Sequence, residues 1–125
     1  MRKIISFILI LFLSSISSPS WSDLLSIEDL VLRNNLYYKK FTDTPFTGEI
    51  SGVENGNFKK GKKKGKWIYY NENGQLEYKG NYKDGNMDGL WEWYNIIGQL
   101  EYKGNYKDGK LHGLSEEYSE NGQLI

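Results

Sequence analysis

Residues 74–85 read Gly-Gln-Leu-Glu-Tyr-Lys-Gly-Asn-Tyr-Lys-Asp-Gly, and the same twelve letters return at residues 98–109. The second copy follows the first at an offset of 24 (98 − 74), and Gly-Gln-Leu at 122–124 begins a third copy at the same spacing. A period of about 20 to 50 residues indicates a repeat array, in which each unit packs against its neighbours. Such arrays usually present extended binding surfaces, so the period predicts a binding module in preference to a catalytic pocket.

The repeated stretch is predicted to form strands. Residues 76–82 alternate strictly, with Leu, Tyr, Gly and Tyr on one side and Glu, Lys and Asn on the other, which is the period of a β-strand. The aromatic segments at 67–70 and 90–94 have strand composition, and the frequent glycines disfavour helices. We therefore predict an all-β fold, an antiparallel meander of repeated β-hairpins with one apolar face. Its units are 56–79, 80–103 and 104–125.

Two kinds of turn are predicted to separate these strands. Asn-Glu-Asn-Gly at 71–74 and Ser-Glu-Asn-Gly at 119–122 suit a short hairpin loop that ends on a glycine with positive φ. Lys-Asp-Gly at 83–85 and 107–109 is predicted to start a longer, second turn.

Residues 23–55 lack the period and are predicted to be a divergent unit that caps one end of the sheet. Residues 30–33 and 36–41 read as two strands around Asn34-Asn35, because asparagine tolerates the positive φ that a two-residue turn requires. Residues 45–50 read as a further strand that enters the array.

The N-terminal segment, residues 1–22, reads as an export signal. Arg2 and Lys3 supply positive charge, residues 4–13 form an apolar core, and Ser20-Trp21-Ser22 places small residues where a signal peptidase cleaves. The apolar core is too short to span a bilayer, which takes about 20 residues. We predict a signal peptide helix at 1–22 and an exported protein, periplasmic or secreted, with an uncleaved anchor as the alternative.

Composition argues against several classes of function. The chain has no cysteine and one histidine, so it cannot assemble a disulfide, a thiolate nucleophile or a Cys/His metal set. We predict a non-enzymatic protein with no cofactor and no metal. Without Arg2 and Lys3, 14 basic residues (16 − 2) face 16 acidic residues, a net charge near −2 that disfavours binding to nucleic acid.

One local run of residues is strongly basic. Residues 59–66 contain six lysines, with Lys62, Lys63 and Lys64 at the centre. The run is predicted either to bind an anionic component of the cell envelope or an acidic partner, or to be a solvated turn whose charges block edge pairing.

The units resemble a known repeat. Residues 80–94, Gly-Asn-Tyr-Lys-Asp-Gly-Asn-Met-Asp-Gly-Leu-Trp-Glu-Trp-Tyr, and 72–76, Glu-Asn-Gly-Gln-Leu, are similar to the bacterial variant of the MORN repeat, and residues 36–48 are similar to a segment that often precedes it. The resemblance implies a single-layer, curved sheet of successive hairpins. It also implies an antitoxin role, since some proteins of this build are grouped as antitoxins. The third unit departs from the pattern, with Ser115 and Glu117 at the positions of two tryptophans.

Aromatic side chains are the strongest binding candidates in the sequence. In a single-layer sheet few residues cover either face, so part of the aromatic stripe is predicted to be accessible to a protein partner; the alternative is that these rings are simply the core. The function predicted is protein binding through an aromatic sheet face, with toxin neutralisation and envelope lipid or glycan binding as alternatives. The candidate residues are Trp67, Tyr69, Tyr70, Tyr78, Trp91, Trp93, Tyr94 and Tyr102.

Overall fold

The computed structural model describes residues 24–125. The predicted signal peptide and its helix at 1–22 lie outside this range. No helix within the described range is long and apolar enough to cross a bilayer. The divisions predicted at residues 22/23 and 55/56 stay predictions.

The protein is an antiparallel meander of hairpins, which confirms the predicted all-β fold. The strands are β1 Leu30–Arg33, β2 Leu36–Lys39, β3 Gly48–Ile50, β4 Glu54–Lys59, β5 Lys62–Tyr70, β6 Leu76–Lys83, β7 Asn86–Met87, β8 Gly89–Tyr94, β9 Leu100–Lys107 and β10 Lys110–Glu117. Strands β3 to β10 form one sheet in the order β10-β9-β8-β6-β5-β4-β3, with short β7 paired to β6. Strands β1 and β2 form a separate two-stranded sheet.

The predicted lengths of the two turns are wrong: the turn at 83–85 is the short one, and the turn at 71–74 is the longer one. Asp84-Gly85 is a tight two-residue turn, with φ of 50° and 83° and with Lys83 paired to Asn86 across it. A turn of this type needs positive φ at both positions, which Asp-Gly adopts readily. The longer connection is residues 71–75, in which the Asn71 side chain accepts hydrogen bonds from two backbone N–H groups. The predicted positive φ of Gly74 is confirmed at 76°.

The N-terminal hairpin has the two-residue turn that was predicted at Asn34-Asn35. Asn34 and Asn35 have φ of 49° and 64° and join β1 to β2. Two backbone hydrogen bonds at Gly61 tie this hairpin region to the main sheet, since Tyr37 N–H donates to the Gly61 carbonyl at 2.9 Å and Gly61 N–H donates to the Phe46 carbonyl at 2.8 Å. Of the predicted strand at 45–50, residues 48–50 join the sheet edge as β3.

Candidate functional site

One face of the sheet carries a continuous row of aromatic rings, which we call the aromatic row. Neighbouring rings have centroids 4.7–6.3 Å apart, the range in which edge-to-face and offset pairs add stability beyond burial. Strand alternation puts the rings of the main sheet on one face, and the period of the sequence repeats them from hairpin to hairpin. Tyr37 of β2 and Phe46, which precedes β3, join the row by their contact with Phe58. The row comprises Tyr37, Phe46, Phe58, Trp67, Tyr69, Tyr78, Tyr82, Trp91, Trp93, Tyr102 and Tyr106.

Two tryptophans of the aromatic row lie flat over glycines and form the core. The Trp67 indole covers Gly56 and the Trp91 indole covers Gly80, so closely that an added Cβ would overlap the ring. Trp91 Nε1 donates a hydrogen bond to the Asn81 carbonyl at 3.0 Å. Trp67 and Trp91 are 3% and 1% exposed. Both were binding candidates in the sequence, and in this conformation neither ring is available to a partner.

Four other predicted residues on the same face are only half-buried. These are Tyr69, Tyr78, Trp93 and Tyr102, which we call the open rings. The rings of the N-terminal region, Tyr37 and Phe46, contact Phe58 and reach no further along the row. The open rings therefore keep part of their surface accessible while their neighbours hold them in place.

The last two predicted aromatic residues, Tyr70 and Tyr94, lie on the opposite face. The Tyr94 hydroxyl donates to Glu92 Oε2 at 3.0 Å, and the Lys79 ammonium lies 5.7 Å from the Tyr94 ring centroid. These contacts separate Tyr94 from Trp93, at a step where the register of the strand pair shifts. Tyr70 lies one period earlier, at the same register shift after Tyr69. The single stripe predicted from the sequence therefore loses these two residues.

The opposite face presents a row of alternating charges. Lys79 lies opposite Glu92, Glu92 opposite Lys103 and Lys103 opposite Glu116. The Lys103 ammonium lies 3.2 Å from Glu116 Oε2. The hydrogen bond from Tyr118, and then the bond from Lys103, lower the pKa of the Glu116 carboxyl. Opposite charges across neighbouring strands favour the observed register, and this face lacks the continuous ring contacts of the aromatic row.

The aromatic row contains an ion pair that was not predicted from the sequence. Lys63 Nζ lies 3.4 Å from Glu54 Oε2, with about a fifth of each side chain exposed. The same ammonium lies 4.5 Å from the Trp67 ring centroid and 5.2 Å from that of Tyr82. Lys63 thus points into the row, unlike the exposed Lys62 and Lys64. The repeat could have indicated this pair, because Glu54 and Lys63 occupy positions that carry Tyr78 and Met87 one period later. Two opposite charges at positions that are otherwise apolar suggest that they pair.

Burial and the charge of Glu54 raise the pKa values of three tyrosines of the aromatic row. Burial first, and then the Glu54 charge with smaller effects of Tyr82, Tyr69 and Glu77, raises the pKa of Tyr78 to about 12. The same two leading causes raise the pKa of Tyr37 and of Tyr82. These phenols are uncharged near neutral pH and can donate a hydrogen bond to a partner. Within residues 24–125, no group of three or more His, Cys, Asp or Glu side chains is placed to hold a metal ion.

A basic cleft lies beside the N-terminal hairpin. Its volume is about 690 Å³, and its lining includes six lysines and one aspartate together with Leu36, Pro45 and Tyr82. An adjoining cleft of about 500 Å³ shares Lys62, Lys63, Tyr82 and Asp84 and extends to Leu32. The cleft lysines are Lys59, Lys60, Lys62, Lys63, Lys64 and Lys83.

Comparison with known families identifies two repeat segments. The family model described as MORN repeat variant matches residues 63–84 and 111–125. The two matches start at residues 63 and 111, which are two periods of the repeat apart. The chain thus contains two segments similar to this repeat, on the hairpins that include β5–β6 and β10. Searches of the curated proteins and of the solved structures found no match.

Proposed function

We propose that this protein is an exported, non-enzymatic repeat module that binds another protein through the open rings. The observation that carries the proposal is the placement of Tyr69, Tyr78, Trp93 and Tyr102 on one sheet face, half-buried and in contact with fixed neighbours. Tryptophan and tyrosine are enriched among the residues that dominate protein interfaces. Rings already held in place lose little conformational freedom when a partner binds, which favours affinity.

Export is the part of the proposal that rests on residues 1–22. The positive Arg2 and Lys3, the short apolar core and the small residues at Ser20 and Ser22 support cleavage before Asp23. N-terminal sequencing of the protein from a periplasmic or culture-medium fraction should give a chain that starts near Asp23. Recovery of a soluble cytosolic protein that retains Met1 would contradict export.

The repeat supplies a matched pair of variants for testing the surface. W93E puts glutamate on the open rings, and the third unit already carries Glu117 at the position equivalent to Trp93. I68E puts glutamate on the opposite face, where the later units carry Glu92 and Glu116. Both variants add one negative charge at a position that the repeat accepts, so they differ chiefly in the face that they alter.

The test compares the proteins that each immobilised variant captures from an envelope extract. Wild type and I68E should retain the same partner, and W93E should lose it. A captured toxin would make the module an immunity protein, the role that the family resemblance implies. Equal capture by W93E and wild type, with both variants folded, would overturn the assignment of binding to the open rings.

A further inference from the structure

We propose that the basic cleft is a second binding site, for an extended protein segment that carries both acidic and apolar side chains. In this site the carboxylates of the segment pair with the exposed lysines, and its apolar side chains contact Leu36, Pro45 and Tyr82 of the lining. The site is separate from the open rings and does not depend on the function proposed for them.

The charge of the cleft is largely uncompensated. Of its six lysines, only Lys63 has an acidic partner within the described residues, namely Glu54. The ion pairs described elsewhere in residues 24–125 use Arg33 and Lys103. Asp84 is the single acidic residue of the lining. Five of the six lining lysines are exposed, and several lysines grouped at one cleft favour a ligand with several negative charges.

The repeat fold does not require lysine at three of these positions. The positions equivalent to Lys60, Lys62 and Lys64 in the second unit carry aspartate, asparagine and aspartate, at residues 84, 86 and 88. The second unit nevertheless forms the same tight turn, with φ of 50° and 83° against 49° and 81° in the first. Nor do the lysines protect a sheet edge, because β5 lies between β4 and β6. The edge-blocking interpretation of the basic run is therefore wrong.

The shape of the cleft distinguishes a peptide from a flat surface. Leu36, Pro45 and Tyr82 line it together with the lysines, so the site offers apolar contacts beside the charges. A segment with alternating acidic and apolar side chains can use both kinds of contact. A flat bilayer surface meets a concave site less completely, which makes the protein segment the better complement.

The probe is a fluorescein-labelled peptide of repeated Glu-Leu-Glu-Gly, and its Gln-Leu-Gln-Gly counterpart tests the need for charge. The cleft variant is K62Q/K83Q. Its control is K107Q/K110Q, which removes the same charge at the equivalent positions of the third unit, one period after Lys83 and two periods after Lys62 and outside the cleft lining.

Binding is measured by fluorescence anisotropy at low and physiological salt. The acidic peptide should bind wild type, K107Q/K110Q and W93E alike. K62Q/K83Q should weaken binding about tenfold, because two exposed charge pairs are lost. Equal binding of the glutamine peptide, or equal loss in K107Q/K110Q, would overturn the proposal. So would binding only to vesicles of phosphatidylcholine and phosphatidylglycerol in equal parts, because that result would assign the lysines to a membrane surface.

Discussion

At the residue scale, two copies of the same sequence pack differently around one glycine. Gly80 and Gly104 occupy the same place in two copies of one sequence. An added Cβ at Gly80 would overlap the Trp91 indole, whereas at Gly104 it would meet the flexible ends of Leu111 and Tyr102 at 2.9 Å. The third unit has Ser115 where the second has Trp91, so no indole covers Gly104.

Gly80→Ala should destabilise the protein by about 1–3 kcal/mol, because an overpacked methyl group forces the indole out of place. Gly104→Ala should cost less, since alanine also restricts the unfolded chain and the neighbours can move. Urea denaturation followed by tryptophan fluorescence measures both variants. Equal losses would contradict the close approach of Trp91 to Gly80.

The raised pKa of Tyr78 predicts a pH dependence. Its ordinary value is 10.0 and its folded value about 12, so folding favours the protonated phenol. The stabilisation is complete below about pH 10 and is lost as the pH rises toward 12. The free energy of unfolding should therefore fall more steeply across this window in wild type than in Tyr78→Phe. Parallel curves would show that Tyr78 does not contribute.

At the scale of elements, the hairpins could be predicted because their signals are local. The alternation of residues 76–82 and the Asn34-Asn35 pair each fix a strand or turn from adjacent residues. The predicted lengths of the two turns were wrong because Asn86, Asp88 and Gly89 resemble loop residues. In the structure these residues continue the sheet, and Asp88 N–H donates to the Asn81 carbonyl at 2.8 Å. The pair of Glu54 with Lys63 joins two strands, and only comparison across the period would have suggested it.

The last hairpin lacks the ring that stabilises its predecessors. Ser115 lies opposite Gly104, in the place where a tryptophan covers a glycine in the earlier units. Leu111 and Leu114 on β10 are 50% and 83% exposed. Few buried contacts make an element open more readily, so β10 should exchange its amide hydrogens faster than β5 or β6.

Ser115→Trp should place an indole over Gly104 and stabilise the last hairpin by about 2 kcal/mol, the value of burying one large apolar side chain. His112→Trp, at an exposed position of the same strand, should give little change. Hydrogen exchange of β9 and β10, together with urea denaturation, measures the effect. A Ser115→Trp variant no more stable than wild type would contradict the interpretation of the third unit.

At the scale of the whole molecule, one aromatic row has two roles along its length. It holds successive hairpins together through Trp67 and Trp91, and it presents Trp93 and Tyr102 beside them, half-buried. In repeat arrays each unit packs on its neighbour, so the rings that stabilise one interface border the rings that remain accessible. The first unit adds Lys60, Lys63 and Lys64 to the basic cleft, at positions where both later units carry other residues.

Hydroxyl-radical footprinting of the protein alone and in the complex captured from envelope extract tests this division most directly. Trp67 and Trp91 should be modified slowly in both states, because they are core. Trp93 and Tyr102 should be modified readily in the free protein and be protected in the complex. Equal modification of Trp93 in the free and bound protein would contradict the account, since the open rings would then not meet the partner.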